Sequence, residues 1–241
     1  MSVRARERDV RSTGPEKKRS GVLAEVVMPP TEKSIHAPRL STRLEPRKLE
    51  SLEGAELEQA LLEACALAGQ RAEGVRFDGI RVAGGTLSGS QLTRASWLDV
   101  LCERCDLTVT DWAAAKFTRV EFRDCRITGA KFSKAELDDV RFVECQLDYA
   151  SFSEARFRRV AFERCRLLEA DFSSADLTGT RFHDCQLQSV DLSHAKLNQT
   201  DVSGSVLNAA RVRASDVRGL VVNREQAATL AQLFGLVVRD L

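Results

Sequence analysis

Residues 170–179 read ADFSSADLTG, from Ala170 to Gly179: two five-residue units end to end, each small, polar, large apolar, polar, polar. Outward from this stretch the same beat continues in both directions. A period of five fits neither the 3.6 of a helix nor the 2 of a flat strand, so it is treated as an internal repeat. Large apolar residues fall at positions ending in 2 or 7, from Phe77 through Trp97, Trp112, Phe117, Ile127 and Leu147 to Val222. Both tryptophans and ten of the eleven phenylalanines obey the rule.

Two residues before each large residue sits a small or β-branched one, and these reveal a longer period. From residue 120 they read Val120, Cys125, Ala130, Ala135, then Val140, Cys145, Ala150, Ala155, then Val160, Cys165, Ala170, Ala175. Four units make twenty residues. The simplest shape is a coil of four short sides, with the first and third residues of each unit pointing in and the next coil stacked above. Vertical ladders follow: Phe122, Phe142, Phe162 and Phe182 on one side, and Cys105, Cys125, Cys145, Cys165 and Cys185 at one corner. Charge provides an independent check, because stacked neighbours avoid like signs. Lys116, Glu136, Arg156, Asp176, Lys196 and Asp216 alternate without error, as do Arg119, Asp139 and Arg159, and Asp138 and Arg158.

Ala170–Gly179 fits the consensus A(D/N)LXX, and the chain resembles the pentapeptide-repeat proteins. The resemblance implies an all-β fold, a right-handed quadrilateral parallel β-helix. It covers Val75–Val222 and extends back to Leu52 through Leu57, Leu62 and Leu67. Cys65 supports the extension, since it falls on the ladder of Cys105, whereas the Leu- and Ala-rich stretch Glu56–Leu67 also suits a helix. Leu52 to Val222 would make almost nine coils, a rod roughly 40 Å long at the strand spacing.

The flanks differ from the repeat. All five prolines lie in residues 1–50, which carry twelve Lys/Arg against seven Asp/Glu and read as a disordered basic tail. The repeat domain is placed at 51–222. Within it, residues 71–222 hold 22 basic and 22 acidic side chains. Residues 223–241 read as a cap of one short α-helix and one strand: Asn223 as N-cap with Gln226 three residues on, Gly235 as stop, and Leu236–Val238 as the strand. Leu230, Leu233, Phe234 and Val237 supply apolar surface for capping or for a homodimer through the C-terminus.

The candidate chemistry is sparse. Tetrahedral zinc needs four convergent ligands, and a disulfide needs converging Cβ vectors. A vertical cysteine ladder offers neither, so these thiols read as small apolar core residues. His36, His183 and His194 are scattered. Gly84, Gly85 and Gly89 make no phosphate loop and read as aids to tight corners. Tyr149, Leu101, Val143 and Leu168 point outward. No catalytic, cofactor or metal site is expected, and the seven cysteines without an export signal suggest reduced thiols in a cytoplasm. No membrane span is expected, and the near-neutral charge gives no pull towards nucleic acid.

The expected role is a non-catalytic, rigid protein–protein interaction rod. The resemblance implies a second reading, a DNA mimic that binds DNA gyrase or topoisomerase IV and protects against quinolones or gyrase toxins. The balanced charge of the repeat departs from the acidic surface that role uses. A third reading is a scaffold or spacer that makes its contacts through the N-terminal tail.

Overall fold

The computed structural model describes residues 34–239. Coil stacks on coil at a register of twenty residues: Phe117 lies opposite Leu137, Val120 opposite Val140 and Phe122 opposite Phe142. Parallel bridges such as Asp106 to Arg126 and Lys131 to Ser151 carry the same register around the other sides. Four faces result, named here by their central residues in one coil: the Phe117, Phe122, Ile127 and Phe132 faces.

Regular pairing concentrates on the Phe117 and Phe122 faces. The strands are β1 (Glu45–Pro46), β2 (Glu56–Glu58), β3 (Ala60–Glu63), β4 (Arg76–Asp78) and β5 (Arg81–Ala83). They continue as β6 (Ser96–Glu103), β7 (Lys116–Arg123), β8 (Glu136–Val143), β9 (Arg156–Glu163), β10 (Arg181–Gln186) and β11 (Asp201–Val206). A single parallel sheet orders them β1-β3-β5-β6-β7-β8-β9-β10-β11, with β2 and β4 paired beside it. The stretch that suited either a helix or the solenoid is solenoid: β2 and β3 pair in register with β4 and β5.

β6 to β9 each turn a corner between the two faces. The turn is made at Asp99, Arg119, Asp139 and Arg159, all left-handed with φ between 51 and 55°. One glycine has a second reason to be there. Gly85 occupies the inward position above Cys65, and a Cβ at that point would run into Cys65 Sγ. Glycine therefore leaves room for the Cys65 thiol at the rung between Cys65 and Cys105.

The interior is filled from Leu52 to Leu207 by the residues of the fivefold pattern. Phe122, Phe142, Phe162 and Phe182 stack at 4.8–5.0 Å, within 6° of parallel. Phe132, Phe152 and Phe172 stack likewise on the opposite face, at 4.7–5.0 Å and within 9° of parallel. The two columns meet edge to face, as between Phe142 and Phe152 at 6.1 Å and 80°. Both geometries are ones the ring quadrupole favours.

α1 (Arg224–Leu233) closes the C-terminal end, with the capping box formed by Asn223 and Gln226. Leu236–Val238, expected as a strand, is not one: it is exposed and without regular secondary structure. The physical reason lies at β11, whose free carbonyls are already engaged. Gln226 Nε2 donates to Val202 O at 2.9 Å and Ser205 O at 2.7 Å, and Asn223 Nδ2 donates to Ser203 O at 2.8 Å.

The leader also departs from expectation. Residues 1–33 lie outside the described residues, but residues 34–50 are laid along the solenoid instead of forming a free tail. Glu45 and Pro46 pair with Ala60 and Leu61, and Arg47 N donates to Leu61 O at 2.8 Å. β1 is thus the outermost strand at the N-terminal end. An edge position is where proline's missing N–H does least harm.

Candidate functional site

The inward side chains of the coils are buried, so the side chains open to a partner are those of the outer surface. The five cysteines of the ladder are buried and free, as are Cys65 and Cys102. Cys145 Sγ donates to Phe122 O and Val143 O at 3.4 Å, and Cys165 and Cys185 repeat that geometry. Burial pushes the thiol of Cys65 up to about 11 and that of Cys102 well above its usual range. Among the described residues no group of His, Cys, Asp or Glu could hold a metal ion. Because all seven thiols are packed in the core, out of reach of a reagent, none is expected to react with Ellman's reagent in the native protein, and all seven after denaturation. A fast-reacting native thiol would contradict the packing.

Outside, charges interlock between coils. Glu136 lies between Lys116 at 3.5 Å and Arg156 at 3.7 Å, and Lys196 meets Asp176 at 3.2 Å. Exposed pairs of this kind contribute about 0–1 kcal/mol each, so their effect is to hold the surface in a near-neutral checkerboard. At the corner between the Phe122 and Ile127 faces, Arg104, Asp124, Arg126 and Glu144 line a shallow groove of about 320 Å³. Arg164 beside Glu144 holds that carboxyl below its usual range.

The most developed polar cluster lies at the corner between the Phe117 and Phe122 faces, under the leader. Asp99 receives Arg119 Nε and Nη2, both at 2.7 Å. Asp139 receives Arg159 Nε at 2.7 Å and Nη2 at 2.8 Å. Each carboxylate takes further bonds from the leader. Arg39 N donates to Asp99 Oδ1 at 2.8 Å. His36 N donates to Asp139 Oδ1 at 3.1 Å, and His36 Nδ1 to Asp139 Oδ2 at 3.0 Å. Both aspartates are buried, although each caps an outer corner.

Desolvation raises the pKa of Asp139, but Arg159 and the donors of His36 outweigh it and hold the carboxyl at about 2. The balance is the same at Asp99, where desolvation is outweighed by Arg119 and the Arg39 amide, leaving its pKa lowered. A depressed carboxylate stabilises the folded state above its unfolded pKa of about 4, and that contribution is lost as pH falls through the folded value. The stabilisation is therefore expected to fade between about pH 4 and 2, and the His36 contact to loosen as the pH falls through about 2. The check is the side-chain carboxyl carbon shift of Asp139 by NMR, with a midpoint near 2 and the His36 amide moving with it. A midpoint near 4 would show that the cluster does not hold in solution.

The outward apolar residues are less organised. Tyr149 and Val109 stand on the Ile127 face, each 55% exposed, whereas Leu101, Val143 and Leu168 are half-buried. In the cap, Leu230 and Phe234 are half-buried, Leu233 is exposed and Val237 is 82% exposed. Leu207, Ala210, Leu230 and Leu233 line a cleft of about 220 Å³ between α1 and the last coil. His183 and His194 stay apart, on different faces. The clustering of His36 with Asp139 escaped the repeat pattern, because nothing in the leader shares the fivefold register.

Among the described residues no helix is long and apolar enough to cross a membrane. No curated protein matches the chain in sequence. Among solved structures, a trypsin-treated variant of QnrB1, a plasmid-mediated fluoroquinolone resistance protein, is 21% identical with a TM-score of 0.37, over 81% of this chain and 96% of that one. HetL, involved in heterocyst differentiation regulation in the cyanobacterium Nostoc, is 15% identical with a TM-score of 0.31, over 67% and 86%. A pentapeptide repeat protein of the Arabidopsis thaliana thylakoid lumen is 18% identical with a TM-score of 0.27, over 53% and 65%. The family described as pentapeptide repeat region matches residues 95–172, and that described as pentapeptide repeats (9 copies) matches residues 142–206. With these two overlapping spans and a twenty-residue register that holds from β2 to β10, the chain belongs to the pentapeptide-repeat family, in the form of a parallel β-solenoid closed by one C-terminal helix.

Proposed function

We propose that the protein is a non-catalytic docking rod that binds a protein partner through its outer faces. The observation that carries this reading is the filled interior. Among the described residues the stacked Phe and Leu columns leave no polar pocket inside the coil of the kind an enzyme site requires, while the faces present fixed side chains at one coil spacing. Surfaces already ordered lose little entropy on binding.

The partner class to test first is a type II DNA topoisomerase. The family resemblance supports it, and QnrB1 is described as a fluoroquinolone resistance protein, although a likeness of that size extends to the fold alone. The neutral checkerboard weighs on the other side, because a DNA mimic needs excess negative charge to compete for a site built to bind phosphate. Purified gyrase in a supercoiling assay decides the matter. Inhibition, or relief of fluoroquinolone poisoning, at micromolar protein would support this partner, and neither effect would remove it. The exposed Leu233 and Val237 are proposed as a self-association surface of the same rod. Sedimentation of the native chain against Val237→Glu tests it, and an unchanged monomer in both would dismiss it.

A further inference from the structure

The corner cluster holds the leader in an unusual way. Two of the three leader contacts come from main-chain N–H groups, those of His36 and Arg39, and the third from the His36 ring, so the site recognises backbone more than side chain. The two acceptors, Asp99 and Asp139, sit two coils apart on one corner column. Two coils rise about 9.6 Å, and three extended residues span about 10 Å. A chain running along the rod axis therefore presents an amide to every second coil at every third residue. Residues 36 and 39 satisfy that match, with Pro38, which has no N–H to offer, between the two clips.

The receptor side is pre-set. Each carboxylate is held by one arginine through two parallel bonds, Asp99 by Arg119 and Asp139 by Arg159, and the acceptor capacity left over is what the leader uses. The ligand side is light by comparison. No residue from Ser34 to Glu50 is buried, whereas both carboxylates beneath are. A segment with so little buried surface can lift without disturbing the core.

We propose that Asp99 and Asp139 form a docking track for the main chain of an extended polypeptide, occupied at rest by residues 36–39 and open to an extended segment of a partner protein when that strap lifts. The partner segment carries free amides three residues apart and a hydrogen-bond donor side chain on the first, as His36 does. The track rests on reading the rod as a docking surface, but it does not depend on a topoisomerase being the partner. A negative supercoiling assay leaves it standing, and failure of the track leaves the other faces available to a partner.

The test uses the full chain and a synthetic fluorescent peptide of residues 34–46. A tethered strap competes at an effective concentration of about millimolar, so the peptide is expected to bind the wild-type chain poorly. It is expected to bind about tenfold or more tightly when the strap of the full chain is replaced by one with proline at both clips (His36→Pro with Arg39→Pro), which has neither amide, with β1 retained. N-methylation of the His36 and Arg39 amides of the peptide should abolish that binding, and this arm leaves the folded protein untouched. In the strap-replaced chain, Asp99→Asn with Asp139→Asn should weaken it by about tenfold or more, with an unchanged circular dichroism spectrum at the assay temperature as the control for folding. Equal binding of the methylated and unmodified peptides, or no gain on replacing the strap, would overturn the proposal.

Discussion

Replacing Phe142 by alanine is expected to destabilise the solenoid by about 3–5 kcal/mol, the range for removing a fully buried aromatic ring. Phe142 is 0% exposed. It lies parallel between Phe122 at 5.0 Å and Phe162 at 4.8 Å, and edge-on to Phe132 and Phe152 at 6.1 Å. Alanine would leave a void enclosed above, below and to one side, with rings too rigid to collapse into it. The location adds a second effect. In a stack where each coil touches only its neighbours, a weak central coil uncouples the two halves. Chemical denaturation followed by tryptophan fluorescence and by circular dichroism should therefore separate. Both tryptophans, Trp97 and Trp112, lie on the N-terminal side of the defect, whereas the dichroism reports the whole sheet. Coincident curves with a loss below about 1 kcal/mol would contradict the packing described. Phe142→Leu keeps most of the volume and is expected to fall well short of the alanine effect.

The second large effect is expected at Gln226, the only buried residue of α1. Its Oε1 accepts from Asn223 N at 2.9 Å, closing the capping box, while its Nε2 serves Val202 O and Ser205 O. One amide thus starts the helix and ends the sheet. Gln226→Ala leaves two carbonyls and one N–H without partners, and unsatisfied buried groups cost about 1–3 kcal/mol each. An expected loss of about 2–4 kcal/mol, confined to the last coil and α1, follows. Gln226→Glu sharpens the test. Its carboxylate still accepts from Asn223 N but has nothing to donate to two carbonyl oxygens, so it should be at least as damaging as alanine despite its near-identical shape. Amide exchange in β11 and α1 reads both variants. Protection equal to wild type in Gln226→Glu would show that the cap does not depend on that amide.

How much of this was legible beforehand depended on whether a residue belonged to the repeat. The coil, its twenty-residue register, the aromatic columns and the pairing of Glu136 with Lys116 and Arg156 all follow from positions modulo five and twenty, because in a solenoid periodicity in sequence is adjacency in space. Asn223 and Gln226 were legible for a different reason: a capping box is local. The strap was not. His36 meets Asp139 across 103 residues with no shared period, and a Pro- and Arg-rich composition carries no signal for an ordering supplied by two carboxylates elsewhere. Leu236–Val238 misled in the opposite direction. Its β-branched run resembles a strand, but a strand requires an open edge, and side chains of the cap had already taken that edge. Arg119, Asp139 and Arg159 were visible as alternating charge, while the second use of their column, holding the leader through Asp99 and Asp139, was not.

The uniform register also limits how the molecule can change size. Adding or removing one residue within a coil would rotate everything downstream off its column, whereas adding or removing twenty, or sixty nucleotides of coding sequence, would preserve every ladder and alter the length by a single strand spacing of about 4.8 Å. Length is therefore quantised. The leader adds a gauge to this ruler, because His36 and Arg39 fit only when one coil, that of Arg119, lies between the two aspartates. Coils can be gained or lost freely beyond Asp139, but loss of the Arg119 coil would put the two clips out of step with the chain that fastens to them.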